Sequence, residues 1–210
     1  MKIIFATGNK DKVKEIREIF RDTEFDVITM KEAGFDGDII EDGETFEENS
    51  FIKAKAVWDW MHRIDHADVK DAIVMADDSG FVVDALGGRP GVYSARYLGA
   101  DADYNTKCGG ILKELEELGK TKPEDRTARF VAAITAILPD GRKLSTRGTI
   151  EGVVFYKMQG ENGFGYDPIH YVPELKKTTA EITMEEKNEI SHRGKALRLM
   201  REELLAVLGK

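Results

Sequence analysis

Five polar segments hold residue types that together suit a polyphosphate and a hard metal ion. Thr7-Gly8-Asn9-Lys10-Asp11-Lys12 follows the apolar run Ile3–Ala6, where helical spacing begins. Free amides at a helix start receive phosphate oxygens. Gly8 lets the chain approach an anion, Asn9 orients it, and Lys10 or Lys12 supplies charge. The segment is neither GxxxxGK[ST] nor GxGxxG, and a plain turn with solvated lysines reads equally well. Asp77-Asp78-Ser79-Gly80 follows another apolar run. Adjacent carboxylates in an extended segment point in opposite directions, so one can face a site while the other serves the backbone. Mg2+ bridging a carboxylate and substrate phosphates fits the exposed member; an Asx turn is the structural alternative. The acidic stretch Glu41-Asp42-Gly43-Glu44, with Glu47 and Glu48, reads mostly as solvated charge, one member of which can complete a metal site with Asp78.

Two further segments read as a base pocket. In Asn162-Gly163-Phe164-Gly165-Tyr166-Asp167-Pro168 the aromatics lie among glycines, so Phe164 or Tyr166 can stack on a flat base and Asp167 can accept a base N–H. A tight turn packed by aromatics is the alternative. Lys187 and the run Ser191-His192-Arg193-Gly194-Lys195 suit phosphate or polar base edges. His192 reads as a general base or as a hydrogen-bond donor, and Ser191 as a helix cap.

The elements that position these segments alternate. Lys2–Thr7 reads as a buried strand, and Val13, Ile16, Ile19 and Phe20 recur at helical spacing. Phe25–Ile28 is the next strand. Phe46, Ile52, Ala56, Trp60 and Met61 mark a second helix, and Ala72–Ala76 a short strand that stops at Asp77. The spacing predicts helices over Ala102–Leu118 and Arg193–Leu208. Strands over Phe130–Leu138 and Lys143–Tyr156 are joined by the turn Pro139-Asp140-Gly141-Arg142. Thr183 to Glu186 is a capping box. The pattern is α/β: a mixed sheet flanked by helices, in one or two lobes.

Composition narrows the classes. With 31 Lys+Arg against 39 Asp+Glu, the 210-residue chain has a formal charge of −8, which disfavours broad nucleic-acid binding. One cysteine, Cys108, excludes an intrachain disulfide and a multi-thiolate metal site, and the four histidines are too scattered for a preformed zinc cluster. No run of 18 apolar residues exists to span a membrane, and no secretory signal is apparent, so a cytoplasmic protein is expected.

The chain closely resembles the inosine triphosphate pyrophosphatase family, the Ham1/RdgB-like non-canonical purine nucleoside triphosphate pyrophosphatases. The resemblance rests on Thr7–Lys12, Thr45-Phe-Glu-Glu-Asn49 with Lys53, and Ala76-Asp-Asp-Ser-Gly80. It continues through Leu86–Arg96, Gly163–Pro168 and Glu186–Gly194, in order along essentially the whole chain. It implies Mg2+-dependent cleavage of ITP, dITP and XTP between the α and β phosphates, releasing nucleoside monophosphate and pyrophosphate. It also implies one elongated two-lobed domain over residues 1–210, with a nucleotide-binding cleft between the lobes, and a homodimer with no stable nucleic-acid partner.

By motif, Asp78 binds metal and activates water, with Lys53 beside it in catalysis and Glu41 as the acidic partner in metal binding. Thr7, Asn9, Lys12 and Lys53 contact the triphosphate, with Gly8, Lys10, Asp11 and Ser79 in the same site. Phe164 stacks on the purine while Gly165, Tyr166 and Asp167 shape its pocket. Lys187, His192 and Arg193 reach the base and its six-position oxygen. The competing readings are a pyrophosphatase with a different modified-nucleotide preference and a non-catalytic nucleotide-binding protein.

Overall fold

Apolar residues on both sides of the first strand bring helices to both faces of a sheet. The computed structural model describes residues 1–209, without the side chains of Lys10, Asp11, Met184, Glu185 and Asn188. The proposed side-chain contributions of Lys10 and Asp11 therefore lie outside the described residues. Strand β1 (Lys2–Phe5) pairs in parallel with β2 (Asp26–Thr29) and β3 (Ile73–Val83). Successive strand side chains face opposite ways. Ile3 and Phe5 join Ile16 and Phe20 of α1 (Lys10–Phe20) and Leu197, Met200 and Leu204 of α5 (His192–Val207) in one core. Ile4 joins Ala54, Val57 and Met61 of α2 (Phe46–Arg63) in another.

The sheet has seven strands in the order β2-β1-β3-β4-β5-β6-β7, with β4 at Thr127–Ile137, β5 at Lys143–Val154, β6 at His170–Val172 and β7 at Lys177–Thr178. The pairs β5–β6 and β6–β7 are antiparallel, so the sheet is mixed. The turn after β4 closes through Gly141 N to Leu138 O and Leu138 N to Arg142 O.

The chain forms two compact units. One comprises Met1–Asp78, Ala132–Gly148 and Arg193–Lys210; the other comprises Ser79–Val131 and Thr149–His192. In the second unit, Cys108, Ile111 and Leu115 of α3 (Tyr104–Glu117) pack with Phe81, Phe130, Ile150, Val154, Tyr166 and Ile169. The short helix α4 (Met184–Ile190) begins with the expected capping box from Thr183 and Glu186.

Two features depart from the sequence reading. The strand expected to stop at Asp77 continues to Val83, through both aspartates. Its buried carboxylates meet cations from other elements, so they do not have to end the strand to reach water. The second feature is β6 and β7, strands of three and two residues, too short for any periodicity to announce them.

Candidate active site

The acidic loop is fastened to the start of α2. Thr45 caps the helix by accepting from Glu48 N, and the Glu48 carboxylate accepts from Glu44 N and Thr45 N. Buried Asn49 accepts from Gly43 N at 2.9 Å. One turn further on, Lys53 projects from the same helix. Its ammonium lies 2.6 Å from Glu41 Oε2 and 3.3 Å from Asp78 Oδ1, so one lysine links the two carboxylates. Burial alone would lower the Lys53 pKa, but Asp78, Asp77 and Glu41 outweigh it and raise it. For Asp78 burial dominates: with Glu41 and Asp77 nearby, its pKa is raised despite Lys53.

Asp78 Oδ2 is buried and has no hydrogen-bond partner among the described residues. An orphaned carboxylate oxygen is costly unless a ligand completes it. Asp78 and Glu41 are hard oxygen donors suited to Mg2+, which commonly takes one or two carboxylates and fills its remaining positions with water and substrate phosphates. The described residues contain no group of three or more His, Cys, Asp or Glu arranged for a metal, so phosphate and water would have to complete the shell. The residues present fit Mg2+ in that manner.

Asp77 faces a different set. Its carboxylate is fully buried, with Lys12 Nζ at 2.9 Å and Arg193 Nε at 3.1 Å; Arg193 also reaches Glu15 at 2.7 Å. Desolvation opposes the Asp77 charge, yet Lys12, Arg193 and Lys53 hold its pKa well below the usual carboxylate range. Arg193, expected at the base, thus has its guanidinium on these two carboxylates. In the first turn Thr7 Oγ1 accepts from Asn9 N, and Asn9 Oδ1 accepts from Lys12 N at the start of α1. A Cβ on Gly8 would meet nothing within 4 Å, so the backbone there is open to an approaching group.

The aromatic–glycine segment forms its own cluster in the second unit. Asp167 is buried. Its Oδ2 accepts from Phe164 N at 2.7 Å and from Lys187 Nζ, and its Oδ1 accepts from Thr179 Oγ1 at 2.8 Å. With three donors already on it, Asp167 acts on the loop and on Lys187 before any base. Gly163 has φ +78°, and a Cβ there would collide with Asp167 Oδ2, so only glycine fits.

Phe164 is 45% exposed, and Lys187 Nζ lies 4.9 Å from its ring centroid. Tyr166 instead stacks on Phe81 at 5.2 Å and donates to Ser94 O, which leaves Phe164 as the ring open to a planar ligand. Asn162, Gly163, Ile182, Thr183 and Lys187 line a cavity of about 280 Å³. Gly165 offers its carbonyl to the Cys108 thiol. His192 lies flat against Phe130, with ring centroids 5.1 Å apart.

Glu41, Lys53 and Asp78 are therefore brought together, as are Phe164, Asp167 and Lys187. Thr7, Asn9, Lys12 and Arg193 belong to the first unit, Ser79 and His192 to the second. The sequence reading missed Glu15 and Asn49 as anchors and Thr45–Glu48 as a capping box. The box pattern S/T-x-x-E was present to be found; nothing local marked Glu15.

Comparison with known proteins identifies the family. The chain matches the Ham1 family over residues 3–203. It is 45% identical over 207 residues to the dITP/XTP pyrophosphatase of Clostridium perfringens, covering 99% of this chain and 98% of that one. It is similar in fold to a HAM1 protein from Coxiella burnetii, with a TM-score of 0.85, 36% identity and coverage of 100% and 98%. The Staphylococcus aureus Ham1 protein gives a TM-score of 0.83 at 39% identity, with coverage of 98% and 99%. With agreement over nearly the full length in sequence and fold alike, the chain belongs to the Ham1 family.

Proposed function

We propose that this protein is a Mg2+-dependent pyrophosphatase for non-canonical purine nucleoside triphosphates. It hydrolyses dITP, XTP and ITP between the α and β phosphates to nucleoside monophosphate and pyrophosphate. The carrying observation is the unpartnered Asp78 Oδ2 beside the Lys53–Glu41 pair. The dITP/XTP pyrophosphatase activity named for the Clostridium perfringens relative agrees with it.

In this reading Asp78 and Glu41 hold Mg2+, which supplies charge neutralisation and polarises the phosphoryl oxygens. Lys12 and Lys53 offset the remaining triphosphate charge, while helix-start N–H groups after Gly8 donate to phosphate oxygens. Asp78 orients the attacking water through Oδ2, the oxygen without a partner among the described residues, and takes up its proton. Water adds to phosphorus, the bond to the bridging oxygen breaks, and pyrophosphate leaves. Phe164 stacks on the purine. Lys187 retains donors beyond the one on Asp167 and gives one to the six-position oxygen. Adenine presents an amine there, and two opposed donors cost about 1–3 kcal/mol.

Within this proposal the protein acts in the cytoplasm as a homodimer, the dimer being supported by family resemblance. No helix among the described residues is long and apolar enough to cross a membrane.

The test is pyrophosphate release from dITP, XTP, ITP, GTP, ATP and dUTP, with Mg2+ and with excess EDTA. Metal-dependent turnover of dITP, XTP and ITP well above GTP and ATP is expected. Turnover confined to dUTP would replace the purine reading with a different nucleotide preference. Binding of dITP by folded protein without pyrophosphate release would overturn catalysis.

A further inference from the structure

We infer that Phe130 is a positioning residue for His192, setting the plane in which its imidazole presents a donor to the base. This rests on the proposed reading that His192 reaches the purine.

Phe130 lies on β4 and is 8% exposed. Three rings touch it. Phe81 is tilted at 4.9 Å, and His170 meets it edge-on at 4.9 Å and 80°. The third is His192, stacked at 5.1 Å with only 13° between the planes. Phe81 in turn stacks on Tyr166 at 14°. Phe130 is therefore held by core rings and offers one flat face to His192. All of these residues belong to the same unit.

The backbone does not make this selection by itself. His192 is the first residue of α5, separated from the end of α4 by Ser191, and a histidine side chain has two rotatable bonds. An imidazole N–H lies in the ring plane, so the plane decides where the donor points. A parallel stack limits rotation of that plane, which a merely space-filling aliphatic neighbour does not. Phe130 touches no substrate in this account; it acts through His192.

The test is a double-mutant cycle on the full chain with dITP as substrate: Phe130→Leu, His192→Ala and the double variant, with Phe130→Tyr as the ring-preserving control. From the usual strength of an aromatic pair, Phe130→Leu is expected to raise KM roughly two- to tenfold with kcat nearly unchanged. Phe130→Tyr should keep the wild-type KM, and adding Phe130→Leu to His192→Ala should change nothing further. An equal rise in both backgrounds would mean that Phe130 acts through the core and overturns the inference. So would a raised KM in His192→Ala with none in Phe130→Leu. A His192→Ala enzyme with wild-type KM would instead overturn the base-contact reading of His192.

The geometry has its own readout. His192 ring protons should show upfield NMR shifts from the Phe130 ring current in the substrate-free protein, and these should be lost in Phe130→Leu. Ordinary shifts in the wild type would overturn the stack whatever the kinetics. Should Phe130→Leu not fold, Phe130→Met preserves the volume without the ring and serves the same cycle.

Discussion

Asp77 and Asp78 are adjacent on β3, and their carboxylates face opposite electrostatic settings. Asp77 is sealed between Lys12 and Arg193, and its pKa is driven down. Asp78 has one lysine, a neighbouring glutamate and an oxygen with no partner among the described residues, and its pKa is driven up. Strand alternation produces the division: one side chain is paired with two cations and the other keeps an oxygen without a partner among the described residues.

The two asparagine variants should therefore fail differently. Asp77→Asn leaves the buried Lys12 and Arg193 short of a counter-charge, and removing one partner of such a network costs about 3–5 kcal/mol. Its melting temperature should fall sharply. Asp78→Asn removes a charge that burial and Glu41 already disfavour, so the melting temperature should hold or rise while dITP turnover is lost. Melting curves and pyrophosphate release on the same preparations check both. Near-normal kcat for Asp78→Asn at saturating Mg2+ would remove Asp78 from the chemistry.

What the sequence disclosed follows the range of each interaction. The helical stripes of α1 and α5, the turn after β4 and the Thr183–Glu186 cap are local patterns, and each stands where its spacing placed it. That the Asp77 and Asp78 carboxylates point to different surroundings was legible, because alternation is also local, but the expected service of one to the backbone is replaced by the Lys12 and Arg193 side chains on Asp77. The partners were not legible. Arg193 reaches Asp77 across 116 positions and Glu15 across 178, distances over which no spacing rule operates. That separation explains why the pairing of Arg193 with Asp77 and Glu15 went unnoticed. The continuation of β3 through both aspartates was hidden for the same reason.

Phe164 should carry a measurable share of purine affinity. Its backbone N–H is fixed by Asp167, and its ring is exposed with Lys187 over it. Phe164→Ala removes the stacking surface without opening a core cavity, so stability should change little. Loss of base stacking is worth about 1–3 kcal/mol. Calorimetry with a non-hydrolysable dITP analogue should show that loss, and a change smaller than experimental error would dismiss stacking as a main contribution.

His170 should make the protein acid-sensitive. It is fully buried against Phe81 and Phe130, and neither ring nitrogen has a hydrogen-bond partner among the described residues. Burial, reinforced by the Lys187 charge, pushes its pKa down to about 3 from an ordinary 6.5. Below pH 6.5 the unfolded chain takes up a proton that the folded protein refuses until about pH 3. The stabilising effect of a neutral His170 is thus complete above the ordinary pKa and is lost as pH falls, at about 1.4 kcal/mol per unit. His170→Phe puts a hydrocarbon ring among the same aromatics and cannot titrate. It should raise stability at pH 7.5, because two unbonded polar atoms disappear. Its advantage over the wild type should widen by about 2 kcal/mol on going to pH 5. Denaturant unfolding of both proteins at the two pH values measures the difference directly, since other titrating groups are common to both. A constant gap would mean that His170 is already solvated or protonated in the fold, contrary to its burial.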